Sequence, residues 1–459
     1  IATWLNAWVG PLVAGYLQRL GKTLAPAPLA VMQSSAGTIS ARQAVGKAVH
    51  LLLSGPAGGL MGARFIGRQA GFKRLLTFDM GGTSTDVALI DGEINLTSEG
   101  QIGGWPVAVP MVDMHTIGAG GGSIARIDDG GLLQVGPESA GADPGPACYG
   151  RGGRRPTVTD ANLVLGRLQP NAFLGGAMRL DSNAARHVMQ PLAASLGCSI
   201  EDAALGILAI ANEHMAQALR VISVQRGEDP RNHVLMSFGG AGGLHVCALA
   251  EALGMTRCLV PVHAGVLSAL GMLAAPPSRQ LSHTLTGCLS DFEDTAIERQ
   301  LHALASNGRK ELEAEGVLPG NMTAAYSLDL RYLGQSYTLN LAWDGVDATC
   351  EAFHARHEQR YGHRLDLPVE LVNLRCGLHS KPVDIKLPLL RDGEISRPAA
   401  ATVAGFADPV AAWPRVSLCA GQNITGPALI TEALATTWLP AGWRCEVDEV
   451  GNLLLELEK

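Results

Sequence analysis

The residue types best suited to chemistry stand together at Phe78-Asp79-Met80-Gly81-Gly82-Thr83-Ser84-Thr85-Asp86, directly after the apolar run 75–78. This order reads as a strand ending in a tight turn. Backbone N–H groups and the hydroxyls of Thr83, Ser84 and Thr85 can surround phosphoryl oxygens there, and Gly81 and Gly82 clear the approach. Asp79, at the strand end, is placed for Mg2+ or its waters, and Asp86 is a second candidate for positioning a metal or water. The plainer reading is a glycine-rich hairpin with a capping aspartate.

A second glycine loop, Gly118-Ala119-Gly120-Gly121-Gly122-Ser123, follows Asp113-Met114-His115. So many glycines permit positive φ at successive positions, and the loop could cradle an anion. Asp113 and His115 are spaced i, i+2, so on an extended segment they point to one side and could share a metal or activate water. Asp79, Asp113 and His115 are thus the candidate metal ligands, with His214 and His245 as possible neighbours, or as helix caps and backbone partners. The third loop, Gly239-Gly240-Ala241-Gly242-Gly243, lies between a strand at 233–238 and a helix at 244–254, where adenosine could lie flat against backbone. It lacks the G-x-G-x-x-G spacing of a dinucleotide fold. Cys148 is the one cysteine in a functional-looking loop, but nothing near it in sequence supplies a base. His354, His357 and His363 could suggest a metal, against the simpler reading of a solvated helix face.

The elements that must hold these loops alternate between strand and helix. Strands at 75–78 and 87–90, a long helix over 203–226 and strands at 233–238 and 257–260 indicate an α/β domain. Beyond about residue 284 the texture becomes a charged helix over 291–315, an alternating strand pair within 324–343, a helix at 350–362 and short strands to the end. The expected partition is 1–284 and 285–459. The opening segment IATWLNAWVGPLVAGYLQRL is interrupted by Asn6, Gly10, Pro11 and Gln18 and reads as a packed amphipathic helix, not a membrane span. It begins without Met, which suggests a truncated or processed polypeptide.

A chain of 459 residues with 47% hydrophobic and 17% charged content is a large globular protein. Its net charge of -7 and pI of about 6.0 give no broad footprint for nucleic acid or an anionic membrane. The nine scattered cysteines form no C-x-x-C pair, which suits a reducing cytoplasm.

Taken together, LLSGPAGG (52–59), TFDMGGTSTDVALI (77–90), DMHTIGAGGGSIARID (113–128), VGPESAGADPGPACYGRGG (135–153), PTVTDANLVLG (156–166), SVQRGEDPRN (223–232), SFGGAGGLH (237–245) and VLSALGML (266–273) resemble the hydantoinase A/5-oxoprolinase family. RYLGQSY (331–337), FHARHEQRYGHRLD (353–366) and GPALITE (426–432) extend the likeness toward the C-terminus. The resemblance implies an actin-like, ribonuclease H-like ATPase lobe followed by a smaller strand-rich α+β domain. It also implies an earlier lobe with its own D-x-G-G-T-x-T-D loop, which residues 1–78 do not contain. Its implied cofactors are ATP and Mg2+, with Zn2+ or Mn2+ as candidates for a second metal.

The implied function is ATP-dependent opening of hydantoin, 5-oxoproline or a similar lactam through a phosphorylated intermediate, in an oligomer with a partner subunit resembling hydantoinase B. The alternatives are a subunit of an ATP-dependent ketone carboxylase, which would require bicarbonate, and a non-catalytic nucleotide-binding scaffold.

Overall fold

A computed structural model describes residues 1–98, 100–102, 104–390 and 397–458. The chain forms two compact units, each discontinuous in sequence: 1–58, 96–112 and 272–384 make one, and 59–95, 113–271 and 385–459 the other.

The second unit carries all three glycine loops on a mixed sheet. The strands Arg74–Met80, Val234–Phe238 and Arg257–Val260 lie side by side and parallel at its centre. Each is an almost continuous run of buried apolar residues, as a strand covered on both faces requires. The strand Thr85–Asp91 returns antiparallel to Arg74–Met80, and Met114–Ile117 adds antiparallel to its outer edge. The expected long helix is present as Ile200–Ile222, capped by the Ser199 hydroxyl and burying Ile207, Leu208, Ala211, Met215 and Leu219.

The expected partition at 284 does not follow these units. Leu453–Leu457 pairs antiparallel with Arg257–Val260, so the last strands of the chain extend the sheet that carries the glycine loops. The alternating ends of these strands satisfy a sheet edge instead of founding a domain of their own.

The first unit holds an antiparallel sheet in the order Ser278–Cys288, Val369–Ser380, Met322–Tyr332, Leu339–Ala342. The helix Asp294–Glu313 buries Ile297, Leu301, Ala305 and Leu312, and the helix Val346–Tyr361 buries Phe353, His354 and His357. The opening segment is a helix, Ala2–Leu24, burying Leu5 and Leu17. Its opposite stripe, Trp4, Trp8, Leu12 and Tyr16, is exposed, so only one side has the packing expected for it. Among the described residues no single helix is long and apolar enough to cross a membrane.

Candidate active site

The hairpin register places Asp79 directly opposite Asp86, and Asp86 opposite Thr116 on the next strand. Residues opposed across an antiparallel ladder project to the same face, so two carboxylates and a hydroxyl converge. The Thr116 hydroxyl donates to Asp86 Oδ1 at 2.6 Å. Burial, and then the charge of Asp86, push the Asp79 carboxyl up to about 6. Burial also raises Asp86, with the Thr116 hydrogen bond acting against it. Two partly desolvated carboxylates facing each other favour a divalent cation or a retained proton.

The turn between the strands has an open and a closed end. Gly82 and Thr83 are exposed and Gly81 and Ser84 half-buried, whereas Thr85 is fully buried. Its hydroxyl donates to the Ala119 carbonyl at 2.5 Å. Thr85 therefore ties the turn to the second loop and is not available to hold phosphate.

The second loop is a buttress, and this corrects its expected anion-binding role. Residues Ala119 to Ser123 are buried. The Gly120 N–H donates to Ser123 Oγ at 2.8 Å, Gly121 N–H to the Gly81 carbonyl at 3.0 Å and Gly122 N–H to the Gly82 carbonyl at 2.6 Å. Those donors are engaged with protein. A side chain at Gly120 would stand 2.8 Å from backbone atoms of Gly82, Thr83 and Ser84, so the glycine serves the approach of two loops. Gly118 is exposed and packs beside Pro137.

Behind this loop, the Thr159 N–H and hydroxyl both donate to the Gly121 carbonyl, at 2.7 and 2.8 Å. Asp160 is fully buried and accepts from the N–H groups of Ala147, Cys148 and Thr157 and from the Thr157 hydroxyl. It joins the helix Val158–Val164 to the loop containing Cys148. Cys148 is itself buried, and burial beside Asp160 pushes its thiol far above the ordinary range, which disfavours a nucleophile.

The third loop divides in the same manner. Gly239 takes φ +79°, donates to the Ala264 carbonyl at 3.0 Å and lies against Asp79, leaving no room for a side chain. Gly240 is exposed and Ala241 half-buried, with the Ala241 N–H bound to the Met80 carbonyl at 3.1 Å. Gly242 and Gly243 are buried against Ser237 and against Thr436 and Thr437. The part of the loop that is not buried therefore contracts to Gly239, Gly240 and Ala241. His245 is buried with Nδ1 on Asn212 Oδ1 at 2.6 Å, and burial lowers its pKa to about 3, so it anchors the loop as a neutral ring.

The expected metal set is not assembled. Asp113 lies just before the strand Met114–Ile117, and the register puts His115 opposite Val87, one residue out of phase with Asp86 and Thr116. Strand alternation sends His115 to the other face of the sheet from Asp79. Asp113 is instead gripped by Arg226 with two bonds, from Nη1 to Oδ2 and from Nη2 to Oδ1, the latter at 3.1 Å. Among the described residues no group of three or more His, Cys, Asp or Glu is arranged to hold a metal.

His354 and His357 are buried while His363 is exposed, so the three form neither a metal site nor one solvated face. His354 Nδ1 meets the Tyr332 hydroxyl at 2.7 Å, His357 Nδ1 donates to the His363 carbonyl at 2.9 Å, and Tyr332 and Phe353 pack edge-on. A groove of about 620 Å3 between Arg154, Pro156, His187 and Pro191 lies elsewhere in the second unit and contains no acidic residue.

Thr116, Thr159 and Asp160 were not singled out from the sequence, although strand alternation from Asp113 and His115 marks Thr116 as pointing the other way. The hydantoinase/oxoprolinase profile matches residues 1–280. The chain belongs to this family. It is 37% identical to the caprolactamase subunit alpha of Pseudomonas jessenii over 97% of the chain and 68% of that relative. To 5-oxoprolinase 1 of Arabidopsis thaliana it is 31% identical, over 99% of the chain and 38% of the relative.

The crystal structure of ATP-dependent caprolactamase from Pseudomonas jessenii superposes with a TM-score of 0.86 at 34% identity, covering 99% of this chain and 70% of that one. Acetone carboxylase, nucleotide-free, gives 0.74 at 27%, covering 94% and 64%. This member of the hydantoinase/oxoprolinase family thus keeps an α/β core common to enzymes that differ in reaction.

Proposed function

We propose that this chain is the nucleotide-using subunit of an ATP-dependent hydrolase that opens a cyclic amide, such as 5-oxoproline, hydantoin or another lactam, through a phosphorylated intermediate. The observation that carries the reading is the facing pair Asp79 and Asp86 at the mouth of an exposed glycine turn. Similarity to a caprolactamase and a 5-oxoprolinase supports it.

The residues fit Mg2+ and a polyphosphate. Burial, and secondarily the charge of Asp86, raise Asp79, a penalty that a divalent cation relieves, and Gly82, Thr83 and Ser84 offer backbone and hydroxyl groups at the open end of the turn. An amide oxygen leaves poorly until it carries a phosphoryl group, which ATP supplies. Asp79 and Asp86 would hold the cation and orient water, and Thr116 would keep Asp86 aimed and ionised. With its pKa near neutrality, Asp79 is also suited to take and return a proton. These roles favour catalysis over a non-catalytic scaffold.

The reading includes an actin-like arrangement of the nucleotide lobe, a hydantoinase B-like partner and a cytoplasmic setting. "Subunit" in the caprolactamase name supports a multi-chain assembly. Likeness to acetone carboxylase favours one other reading, in which the same phosphorylation serves ketone carboxylation.

The test is turnover by the full-length protein with its partner subunit, following ADP and ring-opened product from hydantoin, 5-oxoproline and caprolactam, and from acetone plus bicarbonate. Lactam opening with stoichiometric ADP, lost in Asp79→Ala, is the expected result. Ketone consumption only with bicarbonate would replace it by the carboxylase reading, and no nucleotide turnover would remove both.

A further inference from the structure

The groove of about 620 Å3 in the second unit has no part in the carboxylate site. Ala125 and Ile127 of the strand Ser123–Ile127 line it, as does one side of the helix Ser182–Leu196. That volume suits a small molecule. Its walls are fixed in advance. The Ala125 N–H donates to the Pro156 carbonyl at 2.8 Å, the Asp181 carboxylate caps the helix, and a Cβ at Gly153 would stand only 2.4 Å from the Gly145 carbonyl oxygen. A wall already in place spares a ligand the cost of ordering it.

Ala125, Pro156 and Leu192 are buried and give the groove an apolar floor, with Ile127 and Val188 half-buried beside them. Arg154 and His187 line the same groove and are exposed. Among the described residues neither has a hydrogen-bond or ion-pair partner, whereas their chain neighbours Arg155 and Arg186 are paired with Glu138 and Glu201. No carboxylate lines the groove to neutralise them. The helix also forgoes a hydrogen bond here, because Pro191 has no N–H to give the His187 carbonyl. Departures of this kind gather at ligand sites.

We infer that this groove is a binding site for a small organic carboxylate with a short aliphatic body. The Arg154 guanidinium, whose planar fork matches a carboxylate, holds the head together with an N–H of His187, and the body lies against Ile127, Val188 and Leu192. An amine is the wrong ligand, since no acidic side chain receives it. ATP is a poor one, since the groove offers no carboxylate for Mg2+. The inference is therefore independent of the nucleotide reading above.

The experiment is a titration of the full-length protein with sodium hexanoate, followed by carbon-13 NMR of the Ile127, Val188 and Leu192 methyl groups. Acetate and hexylammonium are titrated in parallel. Arg154→Gln removes the charge at an exposed position and Ala184→Phe fills the groove, with melting temperatures to verify folding. Saturable shifts of those methyl groups by hexanoate are expected, with affinity about tenfold weaker in each variant and at least about tenfold weaker for acetate and hexylammonium. Absence of saturable hexanoate binding at these methyl groups would overturn the inference. So would hexylammonium binding as tightly as hexanoate, or hexanoate affinity unchanged in Arg154→Gln, which decides the matter even if Ala184→Phe does not fold.

Discussion

The first and second loops are both built on adjacent glycines and have opposite jobs. In the first, Gly82 and Thr83 face solvent beside a pair of carboxylates; in the second, the N–H groups of Gly120, Gly121 and Gly122 are all bonded to protein. Glycine density reports that something approaches the backbone closely, but not whether it is a ligand or another strand of the same chain. The partner of each N–H decides the matter. A rigid inner loop, itself fastened by Thr159 and Asp160, holds the outer one open.

That contrast is most readily broken at its base. Asp160→Ala leaves three buried N–H groups without an acceptor and should cost about 3–5 kcal/mol in urea denaturation, possible only if the inner assembly is structural. Gly120→Ala drives a methyl group into the backbone of Gly82 to Ser84 and should cost about 2–4 kcal/mol. Gly82→Ala is its counterpart: nothing lies within 4 Å of the added carbon, so stability should change by no more than about 1 kcal/mol while ATP turnover falls. Equal destabilisation by the two alanines would erase the distinction between the loops.

Acidity sharpens the comparison further. Folding raises Asp79 from 3.8 to about 6, so the native state retains a proton that the unfolded chain has released between those values. Stability should therefore fall as pH rises through this window, by roughly 1–3 kcal/mol, and Asp79→Asn should remove the fall in urea titrations at pH 4.5 and 8. The smallest effect belongs to Thr116→Val, which deletes one half-exposed hydrogen bond to Asp86: about 1 kcal/mol or less in stability, with the Asp86 titration moving upward in carboxyl NMR.

Much of the outer site was legible because it is local. An apolar run, an aspartate, two glycines and hydroxyls are contiguous, and the Asp79–Asp86 opposition follows from the tight hairpin they dictate. What failed depends on pairing between distant segments. Spacing alone paired Asp113 with His115, but the register with Thr85–Asp91 turns His115 to the side away from Asp79, and Asp113 lies before that strand on Arg226. The Arg226 partner of Asp113 is likewise supplied from beyond the helix Ile200–Ile222. The final strands read as a separate domain since nothing in their alternation names the Arg257–Val260 edge they complete.

The most direct test of the central claim is the carboxyl titration of Asp79 by carbon-13 NMR, with and without saturating Mg2+ and a non-hydrolysable ATP analogue. A midpoint near 6 in the free protein that falls by about one unit or more with the ligands would place the cation and phosphates at the Asp79–Asp86 pair. A midpoint unmoved under saturation would contradict the account and send the search for the nucleotide elsewhere.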